Sequence, residues 1–191
     1  MTSSSRSRPP TDGSSARQPE RRRRASALGA YERATLIDVP ATAALAVSWE
    51  ELDRLVARLA ELVGRDHDLV LAITRGGLVP AGMLAYRLDL REILVAGVEL
   101  YRSDGVMHPA PVVWHFPEES LLTGKRVLVV DEVWETGETM TEILGRLRRA
   151  GAEATSAVVH YKPARSRVAG EPDRYAALAD GWVTYPYKAG R

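Results

Sequence analysis

The sequence predicts an α/β chain, a doubly wound and mostly parallel sheet with helices on both faces and a small C-terminal hood or flap. Three observations carry this expectation. Short apolar runs alternate with segments of helical periodicity from residue 48 onward; two of those runs end in glycine turns; and an aromatic segment follows the last of them, apart from the alternation.

Before the alternation, residues 1–29 are rich in Ser, Arg and Pro and offer almost nothing to bury, so they are read as a disordered tail ahead of a domain spanning 30–191. The tail holds seven arginines against Asp12 and Glu20, a balance of +5 within a net charge of +1, which leaves the rest at −4. Its Arg21 to Arg24 run is read as a solvated segment rather than a nucleic-acid or acidic-lipid contact. No apolar run reaches the roughly 18 residues of a membrane span and the start lacks the apolar core of a secretory signal, so a cytoplasmic protein is expected. Cysteine is absent and the four histidines lack zinc-ligand spacing, so any metal is expected on oxygen ligands.

The first helix starts at Ser48, a good N-cap, with Glu51 placed to close a capping box; Leu52, Leu55, Val56, Leu59 and Leu62 form its apolar stripe and Gly64 ends it. Leu69 to Thr74 reads as a strand buried on both faces, running into Arg75-Gly76-Gly77. A helix from about Val79 to Leu88 and a strand from Ile93 to Leu100 follow. The polar, Pro-containing stretch Arg102 to Pro117 is expected to be a mobile loop. Arg126 to Asp131 is a second buried strand, Thr136 to Ala150 a helix ended by Gly151, Ala154 to Tyr161 another strand, and Trp182 to Pro186 the strand of the flap.

The run from Val127 to Thr139 holds the densest chemistry. A buried strand ends in Asp131 and Glu132, then turns through Thr136-Gly137-Glu138-Thr139 into a helix. Free N–H groups at a helix start, with the Thr136 and Thr139 hydroxyls beside them and Gly137 admitting a ligand closely, make a phosphate cradle. Carboxylates at the end of a strand can accept hydrogen bonds from a sugar diol or help hold Mg²⁺. The Thr123-Gly124-Lys125-Arg126 segment lacks the upstream glycine and the following Ser or Thr of a P-loop, and no Gly-x-Gly-x-x-Gly occurs.

This thirteen-residue run resembles the phosphoribosyl pyrophosphate (PRPP) motif of type I phosphoribosyltransferases, and Ile73 to Ala81 is similar to the pyrophosphate loop of their xanthine-guanine group. The resemblance, covering about residues 68–187, implies a purine salvage enzyme with that family's fold, using Mg²⁺, PRPP and a purine base, and assembled as a homodimer or homotetramer. It assigns Arg75, Gly76, Gly77, Asp131, Glu132, Thr136, Gly137, Glu138 and Thr139 to PRPP, with Asp131 and Glu132 as minor metal ligands because Mg²⁺ comes mainly through PRPP. It also implies a cis peptide, carried here to Arg75-Gly76.

Glu135 stands where the related enzymes usually carry the Asp that handles the proton on purine N7, which makes it the catalytic residue. Lys162, in a Lys-Pro pair, would donate to the O6 of a 6-oxopurine, while Trp182 stacks on the base and the Val183 backbone reads its edge. Trp134, Glu135 and Glu138 depart from the family's pattern. The segment from Glu99 to Gly105 lacks its Ser-Tyr pair, so a mobile lid is expected without assigned closure residues. A PRPP- or nucleotide-sensing regulator on the same fold, or transfer to another base, stands as the alternative reading.

Overall fold

A computed structural model describes residues 44–101 and 107–188. The expected tail and the middle of the expected lid lie outside these residues. Eight strands and three α-helices follow in order: β1 (Leu45–Ala46), α1 (Trp49–Val63), β2 (Leu69–Thr74), α2 (Leu78–Leu88), β3 (Ile93–Tyr101), β4 (Met107–His115), β5 (Arg126–Trp134), α3 (Glu138–Arg149), β6 (Glu153–Tyr161), β7 (Arg174–Leu178) and β8 (Val183–Thr184).

The main sheet has six strands in the order β4-β3-β2-β5-β6-β7. Every pairing is parallel except β3 with β4. Alternation along the central strands explains their unbroken apolar sequences. Val70, Ala72, Leu128 and Val130 face the α1 and α2 side with Leu52, Val56 and Leu84, whereas Leu69, Leu71, Val127 and Val129 face Ile143 and Leu147 of α3. Both faces are dry there, so Leu69 to Ile73 and Val127 to Val130 are apolar at every position.

Connections leave β2 and β5 in opposite directions, β2 through α2 to β3 and β5 through α3 to β6, although the two strands are neighbours. Their carboxyl ends therefore border the crevice where the strand order reverses, the place where open α/β sheets take ligands.

Ser48 caps α1 by accepting from the Glu51 N–H at 3.1 Å, and Gly64 closes it with φ +72°. The second arm of the expected capping box is not made: the Glu51 carboxylate pairs with Arg54 at 2.5 Å instead. The stretch expected as a loop, 102–117, is corrected by β4, which runs antiparallel to β3 over 107–115. Pro109 and Pro111 are tolerated there because β4 is the edge of the sheet and one side of its backbone needs no partner. At the opposite edge, β7 is an addition to the expected elements.

The flap also has a second strand. β8 pairs in parallel with β1, joining Leu45 to Val183 and Ala46 to Thr184. Tyr185 then enters the core between α1 and the sheet, fully buried.

Candidate active site

Two loops meet at the reversal of strand order. The first, after β2, contains a cis peptide between Thr74 and Arg75, one bond earlier than expected, so the chain turns at the last residue of the strand. Gly76 and Gly77 are fixed by close approach rather than by unusual torsions. A Cβ on Gly77 would stand 2.3 Å from the Val130 carbonyl oxygen, and one on Gly76 would stand 2.4 Å from the Glu132 carboxyl carbon. This loop can thus lie directly against β5 only without side chains there. Arg75 is exposed at its tip.

The second loop leaves β5 and enters α3. Gly137 takes φ +82° immediately before the first helical residue, Glu138. Thr136 is buried, and its Oγ1 accepts from the Glu138 N–H at 3.4 Å. The close approach at Gly137 is made by the protein itself, since a Cβ would meet Val168 at 2.5 Å and the Trp134 indole nitrogen at 2.6 Å. Trp134 is accommodated because its ring turns beneath the loop, 4% exposed, edge-on to Tyr161, with Nε1 donating to Ser166 Oγ at 3.3 Å. Its bulk therefore buttresses the turn from below.

Asp131, Glu132, Glu135, Thr136, Gly137 and Thr139 line one cleft with Gly76. Asp131 is enclosed by neighbouring atoms although part of its surface reaches the cleft; burial first and the adjacent Glu132 second push its carboxyl up to about 8. Glu132 is held from the other side. Tyr187 donates to its Oε2 at 2.7 Å, Lys188 Nζ pairs with its Oε1, and the Tyr185 hydroxyl donates to its backbone oxygen at 2.8 Å. With that proton committed, the Nδ1 of His160, 2.7 Å from the Tyr185 oxygen, is the donor of their bond. Burial and then Lys162 lower the His160 pKa to about 4, keeping the ring neutral.

The residues expected to meet a base also converge. Lys162, 3% exposed, comes off the end of β6 and places Nζ 3.3 Å from Glu135 Oε2. Arg165 approaches the same carboxylate at 3.8 Å. On the other side of Lys162 lies Trp182, whose ring centroid is 5.9 Å from Nζ and which is 71% exposed. The indole is an open platform, not a core residue. Val183 is buried behind it, and Trp182 and Val183 share a second cleft with Arg75, Gly76 and Glu132.

Of the expected site residues, all but Lys162, Gly77 and Glu138 line two clefts that share Gly76 and Glu132, and Lys162 reaches Glu135 of the first and Trp182 of the second. Tyr185, Tyr187, Lys188 and His160 are additions. The alternation Val183, Tyr185, Tyr187 was the available signal, because it sets three apolar-bodied side chains on one face. What it could not reveal was that this face meets β5.

Comparison with known proteins agrees with this geometry. The phosphoribosyl transferase domain model matches residues 48–176. Xanthine-guanine phosphoribosyltransferases from Idiomarina loihiensis and Chromohalobacter salexigens are each 31% identical to the chain, over 74% of it and 84% of the relative in the first case and 75% and 83% in the second. The crystal structure of a purine phosphoribosyltransferase from Pyrococcus horikoshii superposes with a TM-score of 0.63 at 29% identity, covering 77% of this chain and 95% of that one. The chain therefore belongs to the phosphoribosyltransferase family of pentosyl-transferring enzymes, and groups within it among the purine phosphoribosyltransferases.

Proposed function

We propose that the protein transfers ribose 5-phosphate from PRPP to a 6-oxopurine, xanthine, guanine or hypoxanthine, giving the nucleoside 5′-monophosphate and pyrophosphate. One observation carries the reading: a buried lysine, Lys162, stands between the Glu135 carboxylate and the open face of Trp182. A flat base stacked on that indole would gain roughly 1 to 3 kcal/mol from stacking. In that position its exocyclic oxygen can accept from Lys162 Nζ, its edge can reach the Val183 backbone, and Glu135 can take the proton that the attacking nitrogen must shed.

The remaining groups suit the other substrate. The helix start at Thr136 to Thr139 offers N–H and hydroxyl donors to the 5-phosphate, Glu132 offers an acceptor to the ribose diol, and Arg75 with the Gly76 and Gly77 backbone faces the departing diphosphate. Among the described residues no three His, Asp or Glu side chains gather into a metal cage. Burial raises Asp131 well above the usual carboxylate range and Glu132 already has two partners. These carboxyls fit a metal that arrives on substrate oxygens, with Mg²⁺ supplying charge neutralisation of the diphosphate when bound.

We place the enzyme in the cytoplasm as a homodimer or homotetramer. No described helix is long and apolar enough to cross a membrane. The test is to incubate the protein with PRPP, Mg²⁺ and, separately, xanthine, guanine, hypoxanthine, adenine and orotate. Consumption of PRPP with the first three and not the last two supports the reading. Binding of PRPP without turnover of any base would replace the enzyme by a nucleotide sensor.

A further inference from the structure

The cleft beside the base platform is lined by two cations, Arg75 and Lys188, together with Glu132. Arg75 has no carboxylate partner among the described residues, whereas Lys188 spends its charge on Glu132 Oε1. Glu132 is divided between two donors, because Tyr187 holds Oε2 and Lys188 holds Oε1. Only 13% of the Glu132 side chain is exposed against 44% of Lys188. The carboxylate is therefore the fixed member of the pair, and the lysine, on the short helical turn Pro186–Lys188, is the one with room to move.

A sugar diol that takes Glu132 needs the oxygen Lys188 occupies. On the reading of the site given under Proposed function, the same ligand brings a diphosphate towards Arg75. We infer that Lys188 is a second cationic ligand of that diphosphate, held on Glu132 in the empty enzyme and released to the phosphate oxygens when the ribose hydroxyls displace it. Tyr187 keeps its bond to Oε2 throughout, so Glu132 stays in place while its partner is exchanged. One substrate thus supplies both the group that frees the lysine and the group that receives it.

The experiment uses the full chain and titration calorimetry, with circular dichroism to establish that each variant is folded. Wild type, Lys188→Ala and Lys188→Arg are titrated with PRPP plus Mg²⁺, which carries both diol and diphosphate, and, separately, with guanosine 5′-monophosphate, which has the diol but no diphosphate. Loss of one charge-assisted contact predicts about tenfold or more weaker PRPP binding by Lys188→Ala, with affinity recovered to within about threefold in Lys188→Arg. Affinity for the monophosphate should stay level or improve, because its hydroxyls no longer compete with an ion pair.

A merely structural role for Lys188 would weaken both ligands together, and that result overturns the inference. So does PRPP binding that Lys188→Ala leaves unchanged while wild type binds both ligands, an outcome that leaves the proposed function standing. Failure of wild type to bind either ligand would remove the reading of the site and this inference with it.

Discussion

Lys162 is 3% exposed and its neighbours on either side are a carboxylate and an exposed indole, so its charge is directed at a single small volume. Replacing it with Ala should lower kcat/KM for guanine by about ten- to hundredfold, the range expected for losing a hydrogen bond from a charged donor, and leave the KM for PRPP within about threefold. Steady-state kinetics with each substrate varied in turn makes the check; an equal loss for both substrates would remove Lys162 from base recognition. Gly77 makes a different demand. A Cβ there would meet backbone oxygens of both β5 and β2, neither of which can rotate away, so Gly77→Ala should destabilise the fold by about 1 to 3 kcal/mol, as overpacking does. A urea titration would measure it, and an unchanged midpoint would show that the loop can shift as a body.

At the scale of elements, legibility followed burial. β2, β5 and β6 were readable because strands covered on both faces carry apolar runs, Leu69 to Ile73, Val127 to Val130 and Ala157 to Val159, and the acids of β5 and the threonines of the turn after it stand out against that background. β4 was not readable, since its prolines forbid a central strand and only its place at the edge makes them harmless. β7, Arg174–Leu178, has one buried position among four half-buried ones, and β1 has only two residues. The partners of Glu132 were hidden for another reason: Tyr187 and Lys188 lie 55 and 56 residues away in sequence, and only the fold brings them to β5. The edge also has its own support. Trp114 of β4 lies over Gly97 of β3, where a Cβ would come within 2.4 Å of the indole. An aromatic ring covering a strand glycine predicts that Trp114→Ala costs about 1 kcal/mol and speeds amide exchange along β4 before β2 or β5. Uniform acceleration across the sheet would show instead that the ring supports the whole core.

For the molecule as a whole, two buried titrating groups at the crevice couple stability to pH in opposite senses. Asp131 has its pKa raised from 3.8 to about 8, so the stability belonging to its protonated form is complete below about pH 4 and is lost progressively as pH climbs to about 8. His160 has its pKa lowered from 6.5 to about 4, so the stability belonging to its neutral ring is complete above about pH 6.5 and is lost as pH falls towards 4. Between pH 4 and 6.5 the two slopes oppose each other. Between 6.5 and 8 only Asp131 remains, and stability should decline. Because Asp131 lies within β5, paired with β6, and His160 reaches Tyr185 in the main core, either change is felt by the cooperative unit and not by a loop. Thermal midpoints measured from pH 5 to 9 in a chelating buffer should therefore be level from pH 5 to about 6 in wild type and fall from there towards pH 8, whereas Asp131→Asn, which carries no titrating proton, should hold its midpoint between pH 6.5 and 8. Parallel declines in the two proteins would assign the alkaline loss to other groups and return Asp131 to an ionised carboxylate in the resting crevice.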